Sequence, residues 1–166
     1  SGYLIVPNTV YYNGNTYTVK TIDDYAFMDC DSLFGVILGD SIQTIGNWSF
    51  AGCNRLLEVT FGNRTQTIGN GAFKDCYRLR NASWNREIIS IGDSAFIGCT
   101  HLLWTELPLA LTRIGCHAFD SCNLLAGKLT FPSTIISIGD YAYNGVGNIT
   151  EIEMQGANPP TIYANR

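Results

Sequence analysis

The chain has 166 residues, a net charge of −4 and only 14% charged residues, against roughly 25% in an average soluble domain. Its ten Lys and Arg are scattered without a basic run, which argues against nucleic acid and against anionic membrane surfaces as partners. No apolar run reaches the ~18 residues of a membrane span, and the opening Ser1–Pro7 has neither the basic segment nor the long apolar core of a signal peptide.

Residues 1–21 read as a capping half-repeat. Leu4, Ile5 and Val6 form a strand stopped by Pro7, and Val10–Lys20 holds two β-prone runs around Asn13-Gly14, a strong hairpin signal. The hairpin is expected to shield the open end of whatever follows.

From Ile22 onward one pattern dominates. Its clearest copy is Ile91–Cys99, I-G-D-S-A-F-I-G-C, and copies begin at Ile22, Ile45, Ile68, Ile91, Ile114 and Ile138, in steps of 23, 23, 23, 23 and 24 residues. A fixed period of that size means a stacked array whose units cannot bury their apolar sides alone. Six units of 23–24 residues span 22–156, and 157–166, with Ala157-Asn158-Pro159-Pro160, start a further, incomplete unit. The chain thus opens and closes inside its own pattern and reads as a piece of something longer.

Counting the Ile as zero, position 1 is Gly46, Gly69, Gly92, Gly115 and Gly139, with Asp23 in the first unit. A glycine column calls for positive φ or a close backbone approach. Position 2 is Asp24, Asn47, Asn70, Asp93, Cys116 and Asp140, side chains suited to capping a short helix. Positions 4 and 5 pair Ala or Ser with an aromatic ring, from Ala26-Phe27 to Ala142-Tyr143. Six stacked rings would form a spine, each ring worth roughly 1.5–3 kcal/mol of burial.

Cys30, Cys53, Cys76, Cys99 and Cys122 share position 8, where the last unit has Val146. That exchange points to small, buried, free thiols. Paired disulfides are the weaker alternative, because a ladder of five cannot pair completely. Cys116 stands outside the ladder, and no spacing resembles a metal-binding CxxC.

Leu or Ile recurs at position 11, and apolar residues follow at 14 and 16, an L-x-x-L-x-L arrangement with one inward strand face. The inward pairs are Val36 and Leu38, Val59 and Phe61, Ala82 and Trp84, Thr105 and Leu107, Leu129 and Phe131, and Ile152 and Met154. The fifth pair requires one extra residue near Gly127-Lys128.

The full pattern I-G-D-x-A-F-x-x-C-x-x-L-x-x-V-x-I-P-x-x-V, carried by Ile91–Leu102 and by Leu129-Thr130-Phe131-Pro132-Ser133-Thr134-Ile135, resembles the BspA-like leucine-rich repeat family over essentially the whole chain. Arg64 and Glu87 depart from it only at turns. The resemblance implies an α/β repeat solenoid, a right-handed leucine-rich-repeat array with a parallel strand face and short helical turns. It also implies a secreted or surface-anchored bacterial protein that recognises host or bacterial macromolecules and carries no shared catalytic residues.

Searching for chemistry adds little. His101 and His117 have no acidic or thiol partner at a recognisable spacing, and no nucleophile-elbow, zincin or phosphate-loop sequence occurs. Glu106, Glu151 and Glu153 lack the Asp-rich loop of a calcium site and the cleft of a glycosidase pair. Four Asn-x-Ser/Thr sequons, at Asn47, Asn63, Asn81 and Asn148, matter only in a glycosylating host.

The expectation is therefore a non-enzymatic module without cofactor or metal, binding a protein or surface glycan through outward positions 12, 13 and 15. The candidate face is Phe34, Ile37, Leu57, Glu58, Arg80, Leu103, Trp104, Glu106, Glu151 and Glu153, with Trp104 as the best single anchor. The alternatives are that position 12 is partly covered by the turn, and that the array is a spacer presenting another domain of a longer surface protein.

Overall fold

The computed structural model describes residues 2–103 and 106–162. The strands are β1 (Tyr3–Val6), β2 (Thr9–Tyr12), β3 (Asn15–Thr18), β4 (Thr21–Ile22), β5 (Gly35–Leu38), β6 (Thr44–Ile45), β7 (Glu58–Thr60) and β8 (Thr67–Ile68). They continue with β9 (Asn81–Ser83), β10 (Ser90–Ile91), β11 (Arg113–Ile114), β12 (Ala126–Phe131), β13 (Ser137–Ile138), β14 (Asn148–Met154) and β15 (Thr161–Ile162).

These strands coil into a parallel β-solenoid in which each repeat is one rung. On one side β1, β5, β7 and β9 pair in that order, and β12 pairs with β14. The isolated parallel bridge Glu106↔Thr130 links the fourth unit to the fifth. On the other side the two-residue strands form a seven-stranded sheet from β4 to β15, its inward column the repeat Ile and its outward column Thr21, Thr44, Thr67, Ser90, Arg113, Ser137 and Thr161. Between β12 and β14 the register shifts between Gly127 and Lys128, where the spacing calls for the extra residue of the fifth unit.

The core is the inward column of every rung. Phe27, Phe50, Phe73, Phe96, Phe119 and Tyr143 stack at centroid distances of 5.1–5.4 Å, within the separation at which aromatic pairs attract. Phe61 and Trp84 stack beside them and meet Phe73 and Phe96 edge-on. All six cysteines are free, and Cys53, Cys76, Cys99 and Cys122 are buried. Each of these four thiols donates to the carbonyl of the aromatic residue one rung back, as Cys76 Sγ does to Phe50 O at 3.1 Å. Burial pushes the Cys53 and Cys122 thiols up to about 12, and Cys76 and Cys99 well above the ordinary value, so they remain protonated packing groups.

The expected helical turns are absent: no helix occurs among the described residues, and the α/β expectation is corrected to an all-β solenoid. Backbone hydrogen bonding explains why. In a helix each N–H returns to the carbonyl four residues earlier. Here only alternate N–H groups turn back, as in Lys74 N to Gly71 O and Cys76 N to Phe73 O. The N–H groups between them reach the next rung: Gly71 to Asp93 O, Phe73 to Ala95 O and Asp75 to Ile97 O, each at 2.8 Å. Aiming them along the stack puts positions 3 and 7 at positive φ, at Tyr25, Trp48, Ser94, His117 and Tyr141 and at Asp29, Asp75 and Ser121, with glycine filling the remaining units. A non-glycine residue there is disfavoured by about 1–2 kcal/mol, a cost offset by the inter-rung bonds.

The same geometry reassigns the expected helix caps. Position 2 forms a side-chain ladder along the stack. Asp24, Asn47, Asn70 and Asp93 each accept, through Oδ1, the backbone N–H of the residue one rung on, at 2.6–2.9 Å. The ladder ends at Cys116, whose thiol is a poor acceptor. Cys116→Asn should extend it to Asp140 and raise the unfolding free energy by about 0.5–1.5 kcal/mol, the net worth of one hydrogen bond. A urea titration monitored by circular dichroism reads this directly, and an unchanged midpoint would count against the ladder as a source of stability.

The two ends differ from expectation. Every residue of the β2–β3 hairpin is exposed, so the hairpin projects from the array and does not bury its side chains over the opening rung. In the last rung the inward pair is uncovered, with Ile152 at 64% and Met154 at 38% exposure, because no further strand lies on β14 among the described residues.

Candidate functional site

A β-strand alternates its side chains, so positions 13 and 15 of β5, β7, β9, β12 and β14 face outward while 14 and 16 fill the core. Val36, Leu38, Val59, Phe61, Ala82, Leu107, Leu129 and Phe131 are buried as that alternation requires. The outward groups then form columns across parallel rungs, about 4.8 Å apart.

Ile37 projects from β5 and is exposed, and Arg80, Leu103, Glu106, Glu151 and Glu153 are also exposed. Phe34 and Leu57 at position 12 are half-buried. The Phe34 ring lies against Gly2, and the Arg55 guanidinium covers it at 4.4 Å, so it is not a bare aromatic contact. Position 12 is therefore partly covered at its N-terminal end and open at Arg80 and Leu103. Trp104, the expected anchor, lies outside the described residues, as does Thr105. Glu58 is half-buried and accepts the Tyr3 hydroxyl at 2.8 Å. Glu151 and Glu153 both pair with Lys128, at 2.9 and 3.4 Å, so this end of the face is internally neutralised in part. A depression of about 580 Å³, lined by Trp84, Arg86, Leu103, Glu106, Leu107 and Leu109, adjoins the face between the third and fourth rungs.

Sequence reasoning missed Tyr3 and Ile5 as members of this face. β1 adds a rung in register, with Tyr3 beside Gly35 and Ile5 beside Ile37, and both are exposed. The alternation Tyr3/Ile5 against Leu4/Val6 carried that signal, but β1 lies outside the 23-residue period, so nothing in the spacing set its register.

A second constellation was also missed. His117 Nδ1 lies 2.8 Å from Asp120 Oδ2, and Asp120 Oδ1 accepts hydrogen bonds from Ser121 Oγ and Asn144 Nδ2. His117 therefore does have an acidic partner, three residues on in a non-helical arc. Burial pushes the Asp120 carboxyl up, but the hydrogen bonds from His117, Ser121 and Asn144 outweigh it and hold it below the ordinary value. The Ser121 hydroxyl bonds to the carboxylate and not to the imidazole, so the set lacks the order of a nucleophilic triad. Among the described residues no three His, Cys, Asp or Glu converge as metal ligands, and no helix is long and apolar enough to cross a membrane.

Comparison with known proteins places this geometry. The model of the BspA type leucine rich repeat region matches residues 20–150 in six copies. No relative among curated proteins matches the chain. Of solved structures, a leucine rich repeat protein from T. pallidum is 27% identical, with a TM-score of 0.85 over 98% of this chain and 73% of that one. A leucine rich cell surface protein from Faecalibacterium prausnitzii (24% identical, TM-score 0.81, 99% of this chain and 48% of that one) has the same fold. So does the pneumococcal vaccine antigen PcpA (16%, 0.70, 92% and 40%).

Proposed function

The chain belongs to the BspA-type leucine-rich repeat family, and from that premise we propose that it is a non-enzymatic recognition module of a bacterial surface protein, an adhesin-like array that binds a protein ligand through its longer-stranded face. The observation that supports this reading is the contrast between rungs that pack identically and a face that differs at every rung. Packing consumes the recurrent Ile, Gly, Phe and Cys columns, so they cannot discriminate partners. The outward positions, from Tyr3 and Ile37 through Glu58 and Arg80 to Leu103 and Glu106, combine exposed apolar groups with both signs of charge, as protein interfaces do. A location outside the cell fits the surface setting named for the Faecalibacterium neighbour.

The test is binding of the immobilised chain to a panel of purified extracellular-matrix and cell-surface proteins by interferometry. Arg80→Glu combined with Leu103→Asp should weaken capture at least tenfold, while Gln43→Glu combined with Gln66→Glu, exposed residues that lead into β6 and β8 of the opposite sheet, should leave it unchanged. Equal binding by both double variants would remove this face from the reading. One observation favours a second reading: Thr60, Asn81, Ser83 and Thr130 make the middle of the face polar, which suits a spacer that presents another domain. The spacer predicts no saturable partner for any variant.

A further inference from the structure

Resting on the strand-face reading, we infer that the N-terminal end of this face takes up a lysine or arginine side chain of the partner protein. The aliphatic stem would lie on Ile5 and Ile37, and the charge would sit beside the Tyr3 ring, against the Glu58 carboxylate oxygen that the Tyr3 hydroxyl leaves free. Four observations meet here. Tyr3, Ile5 and Ile37 are 52%, 67% and 42% exposed, and Ile5 and Ile37 lie side by side in the parallel pair β1–β5. Tyr3 reaches across the β5 rung: a Cβ on Gly35 would stand 2.4 Å from the Tyr3 ring, so only glycine lets the phenol lie there and place its hydroxyl 2.8 Å from Glu58 Oε1 on β7.

Glu58 is half-buried, and among the described residues no Lys or Arg comes within ion-pair distance of it. A carboxylate with one hydroxyl donor keeps lone pairs and a charge unmatched, and an ammonium or guanidinium satisfies both. The aromatic ring beside it attracts the same cation. Two exposed isoleucines suit a long alkyl stem, which a Lys or Arg lays along apolar surface while its head stays polar. The wider face agrees in sign: Glu58, Glu106, Glu151 and Glu153 stand against Arg80 and Lys128, and Lys128 is already engaged by two of the carboxylates. A neutral sugar would leave the Glu58 charge uncompensated. The hydrogen bond and charge of Glu58 also push the Tyr3 phenol above its ordinary value, consistent with negative potential at this spot.

The experiment titrates the isotopically labelled chain with a short peptide carrying two lysines, and separately with the same peptide acetylated at both Nζ atoms, while backbone amide shifts are followed by NMR. Saturable shifts at Tyr3, Ile5, Ile37 and Glu58 are expected for the lysine peptide only, fading as salt rises. Glu58→Gln keeps the side-chain shape and should weaken binding about tenfold, the equivalent of one charge-assisted hydrogen bond; unchanged shifts elsewhere verify its fold. Equal affinity in Glu58→Gln, equal affinity of the acetylated peptide, shifts centred on Glu151 and Glu153, or no shifts at millimolar peptide would each overturn the inference. Loss of protein capture in the Arg80/Leu103 variant with undiminished capture by Glu58→Gln sinks this inference and leaves the recognition reading standing. Lysine-peptide binding at Tyr3 and Glu58 with no effect of the Arg80/Leu103 variant does the reverse for the wider face.

Discussion

Phe73→Ala should lower the unfolding free energy by about 3–5 kcal/mol, the range for truncating a fully buried aromatic ring. Phe73 sits at the middle of the spine with no exposed surface. Its ring stacks on Phe50 at 5.3 Å and on Phe96 at 5.2 Å, and takes Phe61 edge-on at 5.9 Å. Removing it therefore opens a cavity that three other rings line. Neither neighbouring rung can collapse to fill it, because Gly71, Phe73 and Asp75 donate to the carbonyls of the following rung, and Trp48, Phe50 and Gly52 of the preceding rung donate to Asn70, Ala72 and Lys74. Marginal domains carry about 5–15 kcal/mol in total, so this one change removes a large share of it. Phe27→Ala at the first unit is the comparison: its ring is half-buried and stacks only on Phe50 within the spine, and it should cost less than half as much. Urea denaturation followed by circular dichroism measures both. Equal losses at the two positions would mean that the spine is not a continuous packed column.

Much of this architecture was legible because the period forces it. Once Ile45, Ile68 and Ile91 recur 23 residues apart, the columns of Phe, Cys and Leu must stack, and the burial of Phe50, Cys76 and Leu79 follows. The arc between Gly69 and Cys76 was not legible as non-helical. Its sequence, G-N-G-A-F-K-D-C, carries an Asn cap and helix-tolerant residues, and local propensity cannot register that the carbonyls of the next rung lie within 2.8 Å of Gly71, Phe73 and Asp75. Tertiary hydrogen bonds overrode the local preference. The same blindness hid Tyr3 and the His117–Asp120 pair, since both depend on register or on an arc geometry that no spacing reports. The outward face was readable as a set of positions but not as a set of contacts: that Phe34 is covered by Arg55 while Ile37 is open depends on side chains from neighbouring rungs.

The glycine column at position 1 keeps neighbouring rungs at their spacing. Positive φ and close approach were both open for position 1; Gly46, Gly69, Gly92, Gly115 and Gly139 all keep negative φ, so close approach is the cause. A Cβ on Gly115 would lie 2.4 Å from Asp93 N and 2.5 Å from Gly92 C. Those atoms belong to the backbone of the preceding rung, which cannot rotate away as a side chain would. Gly115 N also donates to Ile91 O at 2.9 Å, and Asp93 Oδ1 holds Cys116 N, so the shift needed to admit a methyl group breaks bonds on both sides of the clash. Gly115→Ala should therefore cost about 3 kcal/mol, at or above the upper end of ordinary overpacking, even though alanine is the smallest possible addition and normally favours ordered backbone. The first unit supplies an internal control. Asp23 occupies the same position there, and among the described residues no arc of a preceding unit lies behind it, so a side chain is tolerated. Asp23→Ala should stay within about 0.5 kcal/mol of the parent chain, as surface substitutions do. Paired urea titrations of Gly115→Ala and Asp23→Ala measure the contrast. A Gly115→Ala chain as stable as the parent would mean that the rungs can part by a few tenths of an ångström at little cost, and that the glycine column is not what sets their spacing.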